Sequence, residues 1–169
     1  MRDRQAHDEF VSWVRGRQHK LLRSTYLLTG DVTRAEDLVQ DALIKVAKHW
    51  EKLRNGNPDA YVRTILYRDN ISWWRSRREY PMSSPHDGAA PHDGDAVERS
   101  LMMAAALDRL TKKQRAVLVL RYFDDLTERE AAEILGVTVG TVKSQSSVAL
   151  ARLRELPELD ELRGKNGDR

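Results

Sequence analysis

Between Thr33 and Trp50 the apolar residues Ala35, Leu38, Val39, Ala42, Leu43, Val46, Ala47 and Trp50 recur at steps of three and four, the spacing of one buried helix face. Thr33 and Glu36 stand as a T-x-x-E capping box at its start. An earlier helical stretch runs from about Asp8 to Thr29, with an interruption expected at Gly16 and a stop at Gly30. Beyond Asn55-Gly56-Asn57 a third helix is expected, with Asn57 as cap and Pro58 in the first turn. It continues through Val62, Ile65, Leu66 and Trp73 toward Arg78.

The periodicity then stops. PMSSPHDGAAPHDGD, from Pro81 to Asp95, strings together three prolines and two glycines with serines and acids and has no helical or strand period, as a linker does. It contains a short repeat, Pro85-His86-Asp87-Gly88 and Pro91-His92-Asp93-Gly94. His and Asp at that spacing suggest a metal, but Gly and Pro leave both imidazoles unanchored, so the repeat reads as spacer and no metal or other cofactor is expected.

Helical periodicity resumes behind it. Thr111 to Gln114 and Thr127 to Glu130 are two further capping boxes, which start helices at about Lys112 and Glu128. The second ends at Gly136, where a residue without a side chain suits a left-handed turn. Thr138 caps another helix that runs toward Leu156 and breaks at Pro157. Two short helices about a Gly-containing turn are the form of a helix-turn-helix, with Leu135, Val137, Val142, Ala149 and Leu153 as the buried wedge between them. The fold class expected is therefore all-α: two small helical domains, 1–80 and 97–169, joined by a flexible acidic linker over 81–96, the second domain a helix-turn-helix.

Composition narrows the function. A chain of 169 residues with 40% hydrophobic and 33% charged residues and a mean hydropathy of −0.64 has room for two domains, each with a marginal core that a partner would steady. The absence of cysteine excludes a disulfide framework, a thiolate zinc site and a cysteine nucleophile. No apolar run approaches the roughly 20 residues that cross a bilayer, and MRDRQAHDEF lacks the apolar stretch of a signal peptide. A cytoplasmic protein without membrane contact is expected. His7, His19, His49, His86 and His92 make no H-E-x-x-H pair, and no Gly-rich loop follows a strand, so no catalytic residue is assigned and no enzyme is expected.

Net charge is only +3, from 29 Lys and Arg against 26 Asp and Glu, but it is segregated. From Tyr61 to Tyr80 five arginines (Arg63, Arg68, Arg75, Arg77, Arg78) stand against Asp69 and Glu79. They are interleaved with Tyr61, Tyr67, Trp73 and Trp74, the mixture that grips single-stranded nucleic acid; Trp73 is assigned to the core, while Tyr67 and Trp74 stay open. In the helix-turn-helix, Asp124, Asp125, Glu128, Glu130 and Glu133 make the first helix acidic, whereas Thr138 to Arg154 contains no acid. There Lys143, Arg152 and Arg154 are basic, and Thr141, Ser144, Gln145, Ser146 and Ser147 offer neutral hydrogen-bonding groups, as a major-groove helix requires. Asp37, Gln40 and Asp41 share one exposed patch opposite the apolar stripe; spacing alone favours a solvated face there over a site for a basic helix.

Three stretches together resemble the extracytoplasmic-function, or group IV, sigma factors of bacterial RNA polymerase. They are AEDLVQDALIKV (Ala35 to Val46), PDAYVRTILYRDNISWWRSRR (Pro58 to Arg78) and LTEREAAEILGVTVGTVKSQ (Leu126 to Gln145). Their order and the intervening linker carry the resemblance, and Ile71-Ser72-Trp73-Trp74-Arg75 is similar to an actinobacterial, sigma-E-like subgroup. The resemblance implies a specificity subunit that binds core RNA polymerase, reads two promoter elements and stabilises the melted non-template strand. Asp37, Gln40 and Asp41 would dock on the clamp helices of the largest subunit, and the second domain would meet the flap of the second-largest. Asn55, Gly56 and Asn57 would capture a flipped minus-ten base, with Arg63, Arg68 and Asn70 on the following helix contacting that strand. Thr141, Lys143, Ser144, Gln145 and Ser147 would read the minus-thirty-five element. An anti-sigma factor is the further partner the resemblance admits. Gln145 and Val148 stand where many relatives place arginine, and Trp74 where aspartate is common. The rival reading is a free-standing helix-turn-helix regulator, which would bind a palindromic duplex unaided.

Overall fold

The structure, a computed structural model, describes residues 2–79 and 94–157; the Pro-His-Asp-Gly repeat lies outside them up to Gly94. The chain divides into two compact units, Met1–Gly88 and Ala89–Arg169, and every regular element among the described residues is helical.

The first unit comprises α1 (Arg2–Thr29), α2 (Val32–Lys48), the short α3 (Trp50–Leu53) and α4 (Pro58–Glu79). Trp13 of α1, Leu38, Val39, Ala42 and Val46 of α2, Trp50, and Val62 and Leu66 of α4 make its core, with Phe10 and Tyr61 packed at the margin. The rings of Phe10, Trp13 and Trp50 converge, with centroids 5.3 to 6.3 Å apart, distances at which offset and edge-on aromatic pairs attract.

Local chemistry explains where expectation and structure part. α1 runs through Gly16 without a break. That residue lies on the solvent side with no neighbouring atom within 4 Å of a built Cβ, so it costs helix propensity of about 1 kcal/mol but disturbs no contact. Gly30, at φ 73°, ends the helix. The cap of α2 is Asp31 rather than Thr33: its carboxylate accepts the Arg34 N–H at 2.9 Å, two residues ahead of the expected box. α2 stops at Lys48 because His49 leaves helical geometry (φ −113°, ψ 9°), and Trp50 opens α3 instead of closing α2. Asn57 caps α4 as expected, its side-chain oxygen accepting the Ala60 N–H at 2.9 Å.

The second unit comprises α5 (Gly94–Asp108), α6 (Lys112–Leu118), α7 (Glu128–Leu135) and α8 (Val139–Arg154). α5 starts at Gly94, so the last three residues of the expected linker are helical. The capping boxes at Thr111–Gln114 and Thr127–Glu130 both form. Gly136 adopts φ 65°, where a Cβ would crowd the carbonyl, and Thr138 accepts the Thr141 N–H at 3.1 Å. Ala131, Ala132, Ile134, Val142 and Ala149 close the wedge between α7 and α8. Of the expected wedge, Val142 and Ala149 are buried, Leu135 and Leu153 are half-buried, and Val137, at 37% exposure, belongs to the turn surface, because the left-handed Gly136 swings the chain away from the core. α6 continues as a π-helical turn, Val119–Phe123, which the sequence pattern did not announce. The Asp124 N–H bonds to the Val119 carbonyl at 3.0 Å and the Leu126 N–H to Leu120 at 3.0 Å, while Arg121 donates to the Leu126 carbonyl. Asp124 is buried and Asp125 takes a positive φ of 54°, so these two acids precede α7 rather than lining its surface.

Candidate functional site

Three surfaces carry the residues singled out in the sequence. The first is the outer face of α2. Asp37, Gln40 and Asp41 are all exposed there, and Ile44, one turn further on, is 48% exposed. Beside them an open groove between α1 and α2 is lined by Phe10, Val14, Leu22, Val39, Leu43 and Ile44. An acidic rim next to an apolar trough suits a partner helix with basic and apolar residues. Arg34 lies within the same field: burial lowers its pKa, and Asp37, Asp41, Asp69 and Asp31 oppose that shift. Its guanidinium sits 4.5 Å from the Trp73 ring centroid, a cation–π distance.

The second surface is the loop between α3 and α4. Asn55, Gly56 and Asn57 are exposed, but they are not equivalent. The carboxamide oxygen of Asn57 is engaged in capping α4 and the Gly56 N–H is bonded to the Leu53 carbonyl at 2.9 Å, which leaves the Asn55 side chain as the open end of the loop. Arg68 is exposed on α4 and Arg63 half-buried. Asn70 is 4% exposed and is withdrawn from the set of strand contacts: it lies on the inward face of α4, four residues beyond the core residue Leu66. Tyr67, at 3% exposure, is likewise core and offers no stacking platform; Tyr61 packs at the core margin, its ring 6.1 Å from that of His49.

The third surface is α8. Residues three, four, seven and eight apart share a helix face, so Gly140, Lys143, Ser144, Ser147 and Val148 lie together, and all are exposed. Lys143 reaches back to Glu128 of α7 at 3.8 Å, and the Ser144 hydroxyl donates to the Thr141 carbonyl at 3.0 Å. Val148 is 46% exposed and gives this face an apolar group; its position one turn beyond Ser144 was the signal for it. Thr141 and Gln145 are half-buried at the edge of this face. The Thr141 hydroxyl is within 2.9 Å of that of Thr138, in the cap. One turn beyond Val148, Arg152 donates to Gln114 of α6 at 3.1 Å, so that cation braces the unit. Among the described residues no cluster of three or more metal-ligating side chains occurs, and no helix is long and apolar enough to cross a membrane.

Comparison with known proteins accounts for both units. Residues 11–80 match Sigma-70 region 2 and residues 100–159 match Sigma-70, region 4. The RNA polymerase sigma-E factor of Streptomyces coelicolor is 41% identical over 154 residues, 87% of this chain and 85% of that protein. The ECF RNA polymerase sigma factor SigL of Mycobacterium tuberculosis is 31% identical over 142 residues, 79% of this chain and 80% of the other. Among solved structures, the sigma factor RpoE of Bartonella quintana, crystallised with the anti-sigma factor NepR, is similar with a TM-score of 0.66 and 28% identity, over 94% of this chain and 99% of that one.

Proposed function

The chain belongs to the extracytoplasmic-function sigma factors of bacterial RNA polymerase, and from that premise we propose how its surfaces divide the work. As a sigma factor it joins core polymerase and directs promoter-specific initiation; the match of its first unit to Sigma-70 region 2 does not favour a free-standing regulator. In the proposed division, domain 1–80 docks through Asp37, Gln40 and Asp41, with the α1–α2 groove receiving apolar side chains of the clamp helices. Its loop at Asn55, Gly56 and Asn57 captures a minus-ten base, and Arg63 and Arg68 hold the strand. Residues 81–96 connect to domain 97–169, where Lys143, Ser144, Ser147 and Val148 enter the major groove of the minus-thirty-five element. Thr141 and Gln145 stand at its edge.

The protein supplies recognition and strand capture and no bond-breaking chemistry of its own, and it acts in the cytoplasm, where core polymerase is. The RpoE relative crystallised with NepR supports an anti-sigma factor as a further partner, one that would cover the same polymerase-binding faces.

The observation that carries this reading is the division of α8. Its inner face (Val142, Ala149) is sealed into the unit, while its outer face is open, small and acid-free. With one lysine on that face, affinity for duplex DNA without core is expected to be weak and salt-sensitive. Electrophoretic mobility shift on pooled actinobacterial genomic fragments tests this. Retention by the protein alone should be poor at physiological salt, and addition of core should raise it at least roughly tenfold, the equivalent of about 1.4 kcal/mol. Tight, core-independent binding to palindromic fragments would instead return the regulator reading.

A further inference from the structure

The loop from Arg54 to Asp59 joins α3 to α4, and a side chain at each of its ends is tied to the same third element, α1. At the entry, the Arg54 guanidinium lies 3.3 Å from the Glu9 carboxylate of α1 and 3.9 Å from Glu51. At the exit, Asp59 accepts a hydrogen bond from the Nε of Arg17. Glu9 and Arg17 are eight residues apart on one helix, a separation of roughly 12 Å, so α1 spans the loop like a strut with two brackets. Arg17 also lies 5.5 Å from the Trp13 ring centroid, and Trp13 packs against Trp50 at 5.5 Å. Trp50 opens α3, and its carbonyl accepts the Arg54 N–H at 2.8 Å. The brackets are thereby anchored to the aromatic core from below.

Between the brackets the loop's own hydrogen bonds are local: Gly56 N–H to the Leu53 carbonyl at 2.9 Å, and Ala60 N–H to Asn57. Asn55 and Gly56 are left presented to solvent on a base that cannot splay without breaking an ion pair.

We infer that Arg17 and Glu9 are positioning residues for minus-ten base capture: through Asp59 and Arg54 they hold the loop in its capturing shape before the strand arrives. The inference rests on the reading of that loop as the base-capturing element. Its physical content is preorganisation, since a loop already ordered loses less conformational freedom when it closes on a ligand. The ion pairs are partly exposed, and pairs of that kind contribute little to global stability. Their removal should therefore leave the protein folded and able to bind core, with the effect confined to strand capture.

The test uses the full chain with core polymerase and a genomic promoter library, and reads base discrimination at each minus-ten position from sequenced transcript starts. Arg17→Ala and Glu9→Ala are expected to flatten discrimination by about three- to tenfold, the scale on which preorganisation tunes binding. They should also accelerate amide hydrogen exchange at Gly56, whose N–H is bonded to the Leu53 carbonyl. Arg17→Lys, which keeps a cation opposite Asp59, is expected to restore most of both. Asn55→Ala with Gly56→Ala probes the loop directly. If that pair relaxes minus-ten discrimination while Arg17→Ala and Glu9→Ala leave it and the exchange rates unchanged, the strut is refuted and the loop reading survives. If the loop pair itself changes nothing, the capture reading fails and the strut falls with it.

Discussion

Reversing two charges on α2, Asp37→Lys with Asp41→Lys, is expected to weaken binding to core polymerase by one to two orders of magnitude. Both carboxylates are exposed and one helical turn apart, with Gln40 between them, so a basic partner segment meets both at once. A unit-charge pair at about 4 Å gains roughly 1 kcal/mol in water and about 4 kcal/mol at an effective dielectric of 20. Reversal removes that attraction and adds repulsion, which places the loss at tenfold or above. The substitutions also act inward. Asp37 and Asp41 oppose the lowering of the Arg34 pKa by burial, so the reversed protein should melt slightly lower as well. Asp37→Asn with Asp41→Asn removes the same attractions, outward and toward Arg34, without adding cation repulsion, so both losses should be smaller. Affinity for fluorescently labelled core polymerase, measured beside a thermal melt, checks this, and unchanged affinity for a folded double variant would remove the docking assignment.

The second large effect is expected on α8. Residues two apart on a helix do not share a face, so Lys143 and Gln145, both candidates from the sequence, cannot both address the groove floor. Lys143 lies with Ser144, Ser147 and Val148 on the open face, whereas Gln145 is half-buried at its edge. A side chain that hydrogen-bonds a base edge discriminates by roughly 1–3 kcal/mol. Lys143→Ala should therefore relax upstream-element selection about tenfold or more, and Gln145→Ala by less than about threefold, with core binding intact in both. Lys143→Ala also frees Glu128, 3.8 Å away, and an unneutralised acid near the phosphates adds to the loss. Equal effects of the two substitutions in start-site sequencing would mean that α8 enters the groove in another orientation.

The parts of this molecule that local chemistry decides are legible in the sequence. Thr111–Gln114 and Thr127–Glu130 each combine a cap with the helix it starts, and Gly136 stands where only a left-handed residue turns the chain tightly enough. The helix-turn-helix and its open face followed from these signals. The misreadings arise where two local signals compete. Thr33 with Glu36 resembles a cap, but Asp31 directly after the left-handed Gly30 reaches the free N–H groups first. Gly16 weakens a helix that the packing of Trp13 and Leu21 on either side retains.

Long-range geometry had no local signal. That Asn70 faces the core while Arg68 faces solvent depends on which side of α4 meets α1 and α2, since a polar residue in an Arg-rich stretch carries no mark of burial. The π-helical turn at Val119–Phe123 begins within a run whose apolar residues, Ala116 to Leu120, are all buried, and no residue type in it marks a widened turn. The bracket between Arg17 and Asp59 joins residues 42 positions apart, visible only once α1 lies across the loop.

The proposed division of surfaces gives core polymerase a bipartite promoter specificity. Run-off transcription with purified actinobacterial core on a genomic promoter library, with and without the protein, tests it most directly when transcript starts are sequenced. Discrete starts are expected that appear only on addition of the protein, each preceded by two separated, asymmetric motifs, the upstream one altered by Lys143→Ala and the downstream one by Asn55→Ala. An unchanged set of starts, from core that demonstrably binds the protein, would contradict that specificity.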